Sequence, residues 1–249
     1  METSNPVLQT NTFKRAQGTL AFRETMTVQG TIIKTALLLM LVVVSSAWTW
    51  NLFIKSGSNP AALNPWLIGG AISGLILALA TTFKQTWAPV TAPLYAAAEG
   101  LFIGGLSAIM ELSFPGIVMQ AATLTFGTLA AMLFLYQAKI IKVNDTFKMI
   151  VATATGGIFI AYLISFGLSF FNIQIPLIFG NGFVGIAFSL FVIGIAALNF
   201  VLDFDFIEKG SRQGAPKYME WYGAFALMVT MIWLYVEFLR LLSKMRSNR

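Results

Sequence analysis

There is no cysteine and no histidine in this 249-residue chain, and only 10% of its residues are charged. Without cysteine it forms no disulfide, presents no thiolate nucleophile and builds no thiolate metal site. Without histidine it lacks the usual metal ligand, the usual general base and the usual switch near neutral pH. Proton or ion chemistry therefore falls to Asp, Glu, Lys, Arg or Tyr. The scarcity of charge is as restrictive. A soluble domain carries about 25% charged residues, so this chain cannot face water all round. An ordinary soluble enzyme, a disordered protein and a nucleic-acid-binding domain are excluded. The net charge of +6 needs no polyanionic partner, because basic residues that hold membrane loops inside account for it.

What the chain has in excess is apolar. Hydrophobic residues make up 57%, and the mean hydropathy is +0.77. The length is that of one domain. An apolar helix of about 20 residues crosses a hydrocarbon core of about 30 Å. The first such run is Thr35 to Ile54, the second Trp66 to Phe83, and the third Val90 to Met110, interrupted only by Glu99. The fourth is Gly116 to Tyr136. Met149 to Leu202 carries no charge and is too long for one span. The turn-forming residues between Asn172 and Gly182 split it into spans at about 149–171 and 183–205. A seventh span lies within Trp221 to Leu242. Run length and the lack of period-2 alternation point to helices rather than a barrel. Glycines four apart, Gly70 with Gly74 and Gly100 with Gly104, either let helices pack closely or reflect the general abundance of Gly in spans.

Residues 1–34 are polar and read as a cytoplasmic tail; a secretory signal does not fit, because the polar stretch before the first apolar run is too long. With the N-terminus inside, the inner segments hold Lys14, Arg15, Arg23, Lys34, Lys84, Lys139, Lys142, Lys148, Lys209, Arg212 and Lys217, and the outer loops only Lys55. Arg240, Lys244, Arg246 and Arg249 conflict with this. Seven full spans place them outside; six spans and a re-entrant segment place them inside. Seven is the reading, because early loops dominate orientation. The division is then a tail 1–34, a transmembrane domain 35–242 and a basic tail 243–249. Trp48, Trp50 and Trp66 fall at the outer interface, and Trp87 and Trp221 at the inner one.

Of the ten acids, Glu2, Glu24, Glu111 and Asp145 read as solvated. Glu99, Asp203, Asp205 and Glu237 lie within or at the ends of apolar runs, where a charge costs about 2.5–3.5 kcal/mol at a helix centre. Such groups line a cavity or find a partner. No Lys or Arg lies within ten residues of Glu99; it either lines a transport path or is protonated and hydrogen-bonded to a neighbouring helix. Asp203 and Asp205 are about 200° apart around a helix and cannot face one partner. Glu237 and Arg240 share a face and can neutralise each other.

The stretch Leu202-Asp203-Phe204-Asp205-Phe206-Ile207-Glu208, followed by Trp233-Leu234-Tyr235-Val236-Glu237-Phe238-Leu239-Arg240-Leu241-Leu242, resembles the Bax inhibitor-1 family of seven-span proteins. Met26 to Thr35 resembles the start of its bacterial, YccA-like branch. The resemblance runs from about residue 20 to 245. It implies an all-α integral membrane protein, a seven-transmembrane helical bundle with the C-terminal helix central. It also implies a pH-sensitive calcium leak governed by carboxylates on spans six and seven. Carried over, these are Asp203 or Asp205 and Glu237, with Lys84 as a candidate gating partner; Arg240, on the same helix face as Glu237, is a second candidate gating partner. Alternatively, the two aspartates form a solvated inner helix end near Lys209, and Lys84 is a plain loop anchor. Two features depart from the family pattern. Glu stands where the family often has Asp, and the 34-residue separation of Asp203 from Glu237 is some nine longer than the family's. Pairing would need span seven to enter the membrane near residue 226.

The leading expectation is a bacterial inner-membrane cation leak with calcium as its ion, a hard cation that suits oxygen ligands. Two carboxylates sharing a site raise one pKa and titrate as a pair, so a sensor works without His. Asp203 and Glu237 offer at most weak calcium binding, and no cofactor is expected. The alternative is a non-transporting regulator that binds a membrane protease or another membrane protein. An intramembrane enzyme ranks last, lacking His, Cys and any metalloprotease or serine-hydrolase motif. The implied partners are the lipid bilayer, cations and protons, and no nucleic acid.

Overall fold

The computed structural model describes residues 25–171, 173, 175, 178 and 180–247; the first 24 residues of the expected N-terminal tail, with Arg249, lie outside them. Seven helices are long and apolar enough to cross a membrane. They are α1 Val28–Lys55, α2 Asn64–Phe83, α3 Ala88–Ser113, α4 Ile117–Gln137, α5 Asp145–Ser169, α6 Phe183–Arg212 and α7 Met219–Ser247. Short 3-10 turns, Pro60–Leu63 and Gln85–Trp87, lead into α2 and α3.

Local chemistry sets the ends. Thr27 caps α1, its hydroxyl accepting from Gly30 N at 2.9 Å, and Asn144 caps α5 by accepting from Phe147 N at 2.7 Å. Glu111, expected to be solvated, instead belongs to the last turn of α3. Its carboxylate accepts from Val118 N at 3.1 Å and from Gly116 N, so it caps α4. The start of a helix favours an anion because its first amides are free.

The helices overrun the apolar runs. α1 begins seven residues before Thr35, α6 continues to Arg212, and α7 continues to Ser247. Most of the expected basic tail 243–249 is therefore helix. Seven crossings put the two described ends at opposite ends of the bundle. At the N-terminal end, Met26 N donates to Ala215 O in the α6–α7 turn at 2.7 Å. At the C-terminal end, Arg246 donates to Pro115 O at 2.7 Å and to Gln120 Oε1 at 3.1 Å. Of the basic residues that conflicted with seven spans, Arg240, Lys244 and Arg246 are bonded to the protein.

α7 packs against α1, α3, α4 and α6 and contributes to both main apolar clusters. One joins Ile117 and Ala121 of α4 with Phe200 and Phe204 of α6 and Leu234 and Phe238 of α7. The other joins Leu38 and Val42 of α1 with Ala92, Tyr95 and Ala96 of α3 and Phe225 and Met228 of α7. α1 and α3 approach closely because Gly100 and Gly104 lack side chains: a Cβ on Gly100 would lie 2.6 Å from Ser45 Cβ, and one on Gly104 2.5 Å from Ser46 O. Trp48 meets Trp66 edge-on at 4.6 Å at the C-terminal end.

Candidate functional site

The ionisable groups of α6 and α7 occupy successive levels of the bundle. At the N-terminal end Glu220 is fully buried (0% exposed). It accepts from Thr27 N and Thr27 Oγ1, each at 2.9 Å, and is ion-paired with Lys34. Lys217 stands 3.6 Å away, and Lys34 lies over the Trp221 ring. Gly30 makes room for this carboxylate; a Cβ there would collide with it.

On α6, Asp205 and Asp203 have different fates, as their angular separation requires. Asp205 accepts from Lys209 at 2.6 Å and faces Lys148 of α5 at 3.7 Å. Glu208 is held by Tyr136 of α4 and by Arg212. Asp205 therefore sits in a charged network at the helix end. Asp203 points into the bundle and accepts from Thr230 Oγ1 of α7 at 2.7 Å.

Glu237 is not the partner of Asp203. It lies seven residues beyond Thr230, about 10 Å further along α7 at 1.5 Å per residue. The anomalous separation has this cause: the α7 position level with Asp203 is Thr230, and the start of α7 at Met219 carries Glu237 past it. Glu237 is 1% exposed. Its Oε1 accepts from Arg240 at 2.8 Å and from the Tyr162 hydroxyl of α5 at 2.7 Å. Arg240 also donates to that hydroxyl at 2.5 Å and lies 4.8 Å over the Tyr162 ring. The other carboxylate oxygen, Oε2, is buried with no hydrogen-bond partner among the described residues.

Two turns beyond Glu237, Lys244 is 3% exposed. It spends all three protons, on Ile178 O at 2.6 Å, Gly185 O at 3.0 Å and Ser189 Oγ at 2.9 Å. Lys84 does not reach the acids; it is exposed and lies 5.1 Å over Trp87. Glu99 lies half-buried on α3 against α2, its Oε1 2.7 Å from where a Cβ on Gly74 would be. It has no hydrogen-bond or ion-pair partner among the described residues.

Sequence reasoning missed Thr230, Tyr162, Lys244 and Glu220. Three of the four sit on α7, and Thr230, Glu237 and Lys244 recur every seven residues, a spacing that returns to the same helix face. That repeat was the available signal. No group of three or more Asp or Glu capable of holding a metal ion occurs among the described residues.

No curated protein and no solved structure matches the chain. A family model, Bax inhibitor 1 like, matches residues 5–247. With its seven spanning helices, and with that match over essentially the whole sequence, the chain belongs to the Bax inhibitor 1 like family of membrane proteins.

Proposed function

We propose that this protein is a proton-sensitive cation leak, calcium being its ion, in a bacterial inner membrane with the N-terminus cytoplasmic. The observation that supports it is Glu237: a buried carboxylate with one oxygen held by Arg240 and Tyr162 and the other without a partner among the described residues. Burying an unpaired polar atom is costly, and intramembrane carboxylates are commonly functional.

Asp203 is a second carboxylate, two turns nearer the N-terminal end and held by one hydroxyl. Because the two do not touch, they act in series along the α6–α7 seam rather than sharing one proton. Arg240 is the resident counter-charge of the closed state. A proton on Glu237 removes its grip on Arg240, and a cation at Oε2 competes with Arg240 for the same carboxylate.

The test is calcium flux into liposomes holding the full-length protein, measured across pH. Asp203→Asn and Glu237→Gln should each change the flux and its pH profile, with different profiles because the sites are separate. Flux no greater than through protein-free liposomes, at every pH, overturns the reading.

A further inference from the structure

α1 and α4 do not pack closely on each other. Between them are two cavities, of about 890 Å³ toward the N-terminal end and about 570 Å³ toward the other. Leu39, Phe126 and Met231 line both, so the two form one groove floored by α7. The larger cavity is apolar along its length but not at its mouth, which is rimmed by Lys139, Lys142, Arg212, Asp205 and Glu208. The acids at that mouth are already engaged: Asp205 with Lys209 and Lys148, and Glu208 with Arg212 and Tyr136. Lys139 and Lys142 are exposed and have no acidic partner among the described residues. The result is a deep apolar slot with two uncompensated cations at its entrance.

We propose that this groove is a binding site for an anionic phospholipid, its acyl chain lying between α1 and α4 and its phosphate held by Lys139 and Lys142. Charge complementarity selects this occupant. A neutral lipid or an apolar helix would fill the slot and leave both ammonium groups unanswered, whereas basic pockets between membrane helices suit anionic headgroups. The slot is open to the bilayer side, so a lipid enters it laterally. Ala36 of α1 lines its wall, and a larger side chain there would block the acyl chain without altering charge.

The experiment is native mass spectrometry of the full-length protein titrated with phosphatidylglycerol or with phosphatidylcholine of the same acyl chains. The wild type should retain one phosphatidylglycerol in preference. Lys139→Gln with Lys142→Gln should weaken that adduct about 25-fold, at about a factor of five per lysine near a headgroup. Ala36→Trp should weaken adducts of both lipids. Both lysines are exposed, so folding should survive, and helix content by circular dichroism checks it. Equal retention of the two lipids by wild type overturns the proposal, as does a phosphatidylglycerol preference that survives the double substitution. An adduct that forms only after residues 1–24 are deleted would make the chain's own tail the occupant. A co-purifying polypeptide that phosphatidylglycerol does not displace would make it a partner helix. Either result also refutes the lipid site.

Discussion

Replacing Tyr162 by Phe tests the buried cluster at its centre. The substitution keeps the ring and therefore its contact with Arg240, whose guanidinium lies 4.8 Å from the ring centre. Only the hydroxyl is lost, and with it the bond donated to Glu237 at 2.7 Å and the bond accepted from Arg240 at 2.5 Å. Interhelical hydrogen bonds in membrane proteins contribute about 0.6 kcal/mol on average and about 1.7 at most. Both bonds here involve charged groups, which favours the upper half of that range. Tyr162→Phe should therefore cost about 2–3 kcal/mol. Equilibrium unfolding in mixed micelles, followed by loss of helical circular dichroism, measures it. In a Glu237→Leu background only the Arg240 bond remains to lose, and Tyr162→Phe should cost about half as much. An equal cost in both backgrounds, or a cost below about 0.5 kcal/mol in the wild type, would refute the three-residue cluster.

Gly30→Ala should destabilise by about 2–4 kcal/mol, because its Cβ displaces the buried Glu220 from Thr27 and Lys34. Combined with Glu220→Ala the same change should turn mildly stabilising, as Ala is the better helix former; a loss in both backgrounds would refute the collision. Lys244→Met should cost about 2–3 kcal/mol and speed hydrogen exchange of the Gly185 to Ser189 amides, whose turn its ammonium binds; unchanged exchange would show that the contact carries no load. Glu99→Gln should preserve helix content and change calcium flux; flux unaltered at every pH would leave Glu99 a structural residue. Because the chain has no cysteine, single cysteines at positions 142 and 247 report topology cleanly. An impermeant maleimide should label them from opposite faces of sealed vesicles, and labelling from one face would refute seven crossings.

The number and order of the helices were legible because uncharged runs of spanning length have few alternatives. Their ends were not. α6 and α7 continue past the apolar runs into charged turns, where Lys209, Arg212 and Arg246 bond to neighbouring groups rather than stop the helix. The acids were found by the cost of burying charge, and Glu237 with Arg240 by their three-residue spacing. Thr230 escaped because a hydroxyl carries no charge to notice, and only the register between α6 and α7 reveals that it faces Asp203. Lys244 escaped because lysines near a terminus read as tail, although this one is buried among carbonyls. Glu220 was passed over because its partners, Thr27 and Lys34, are nearly two hundred residues away in sequence.

Lys244 also settles a choice that apolar packing leaves nearly degenerate. The fourteen residues from Thr230 to Lys244 on α7 match the fourteen from Asp203 back to Ser189 on α6. Glu237 sits halfway, level with Ala196. Two helical turns return a helix to within about 20° of the same face, so sliding α7 by seven residues, about 10 Å, would offer α6 a similar surface. That slide would set Glu237 against Asp203, carboxylate to carboxylate. It would also draw Lys244 away from its three acceptors and leave it level with Ala196. The lysine therefore works as a vernier pin: it holds the one alignment in which the two acids stand two turns apart.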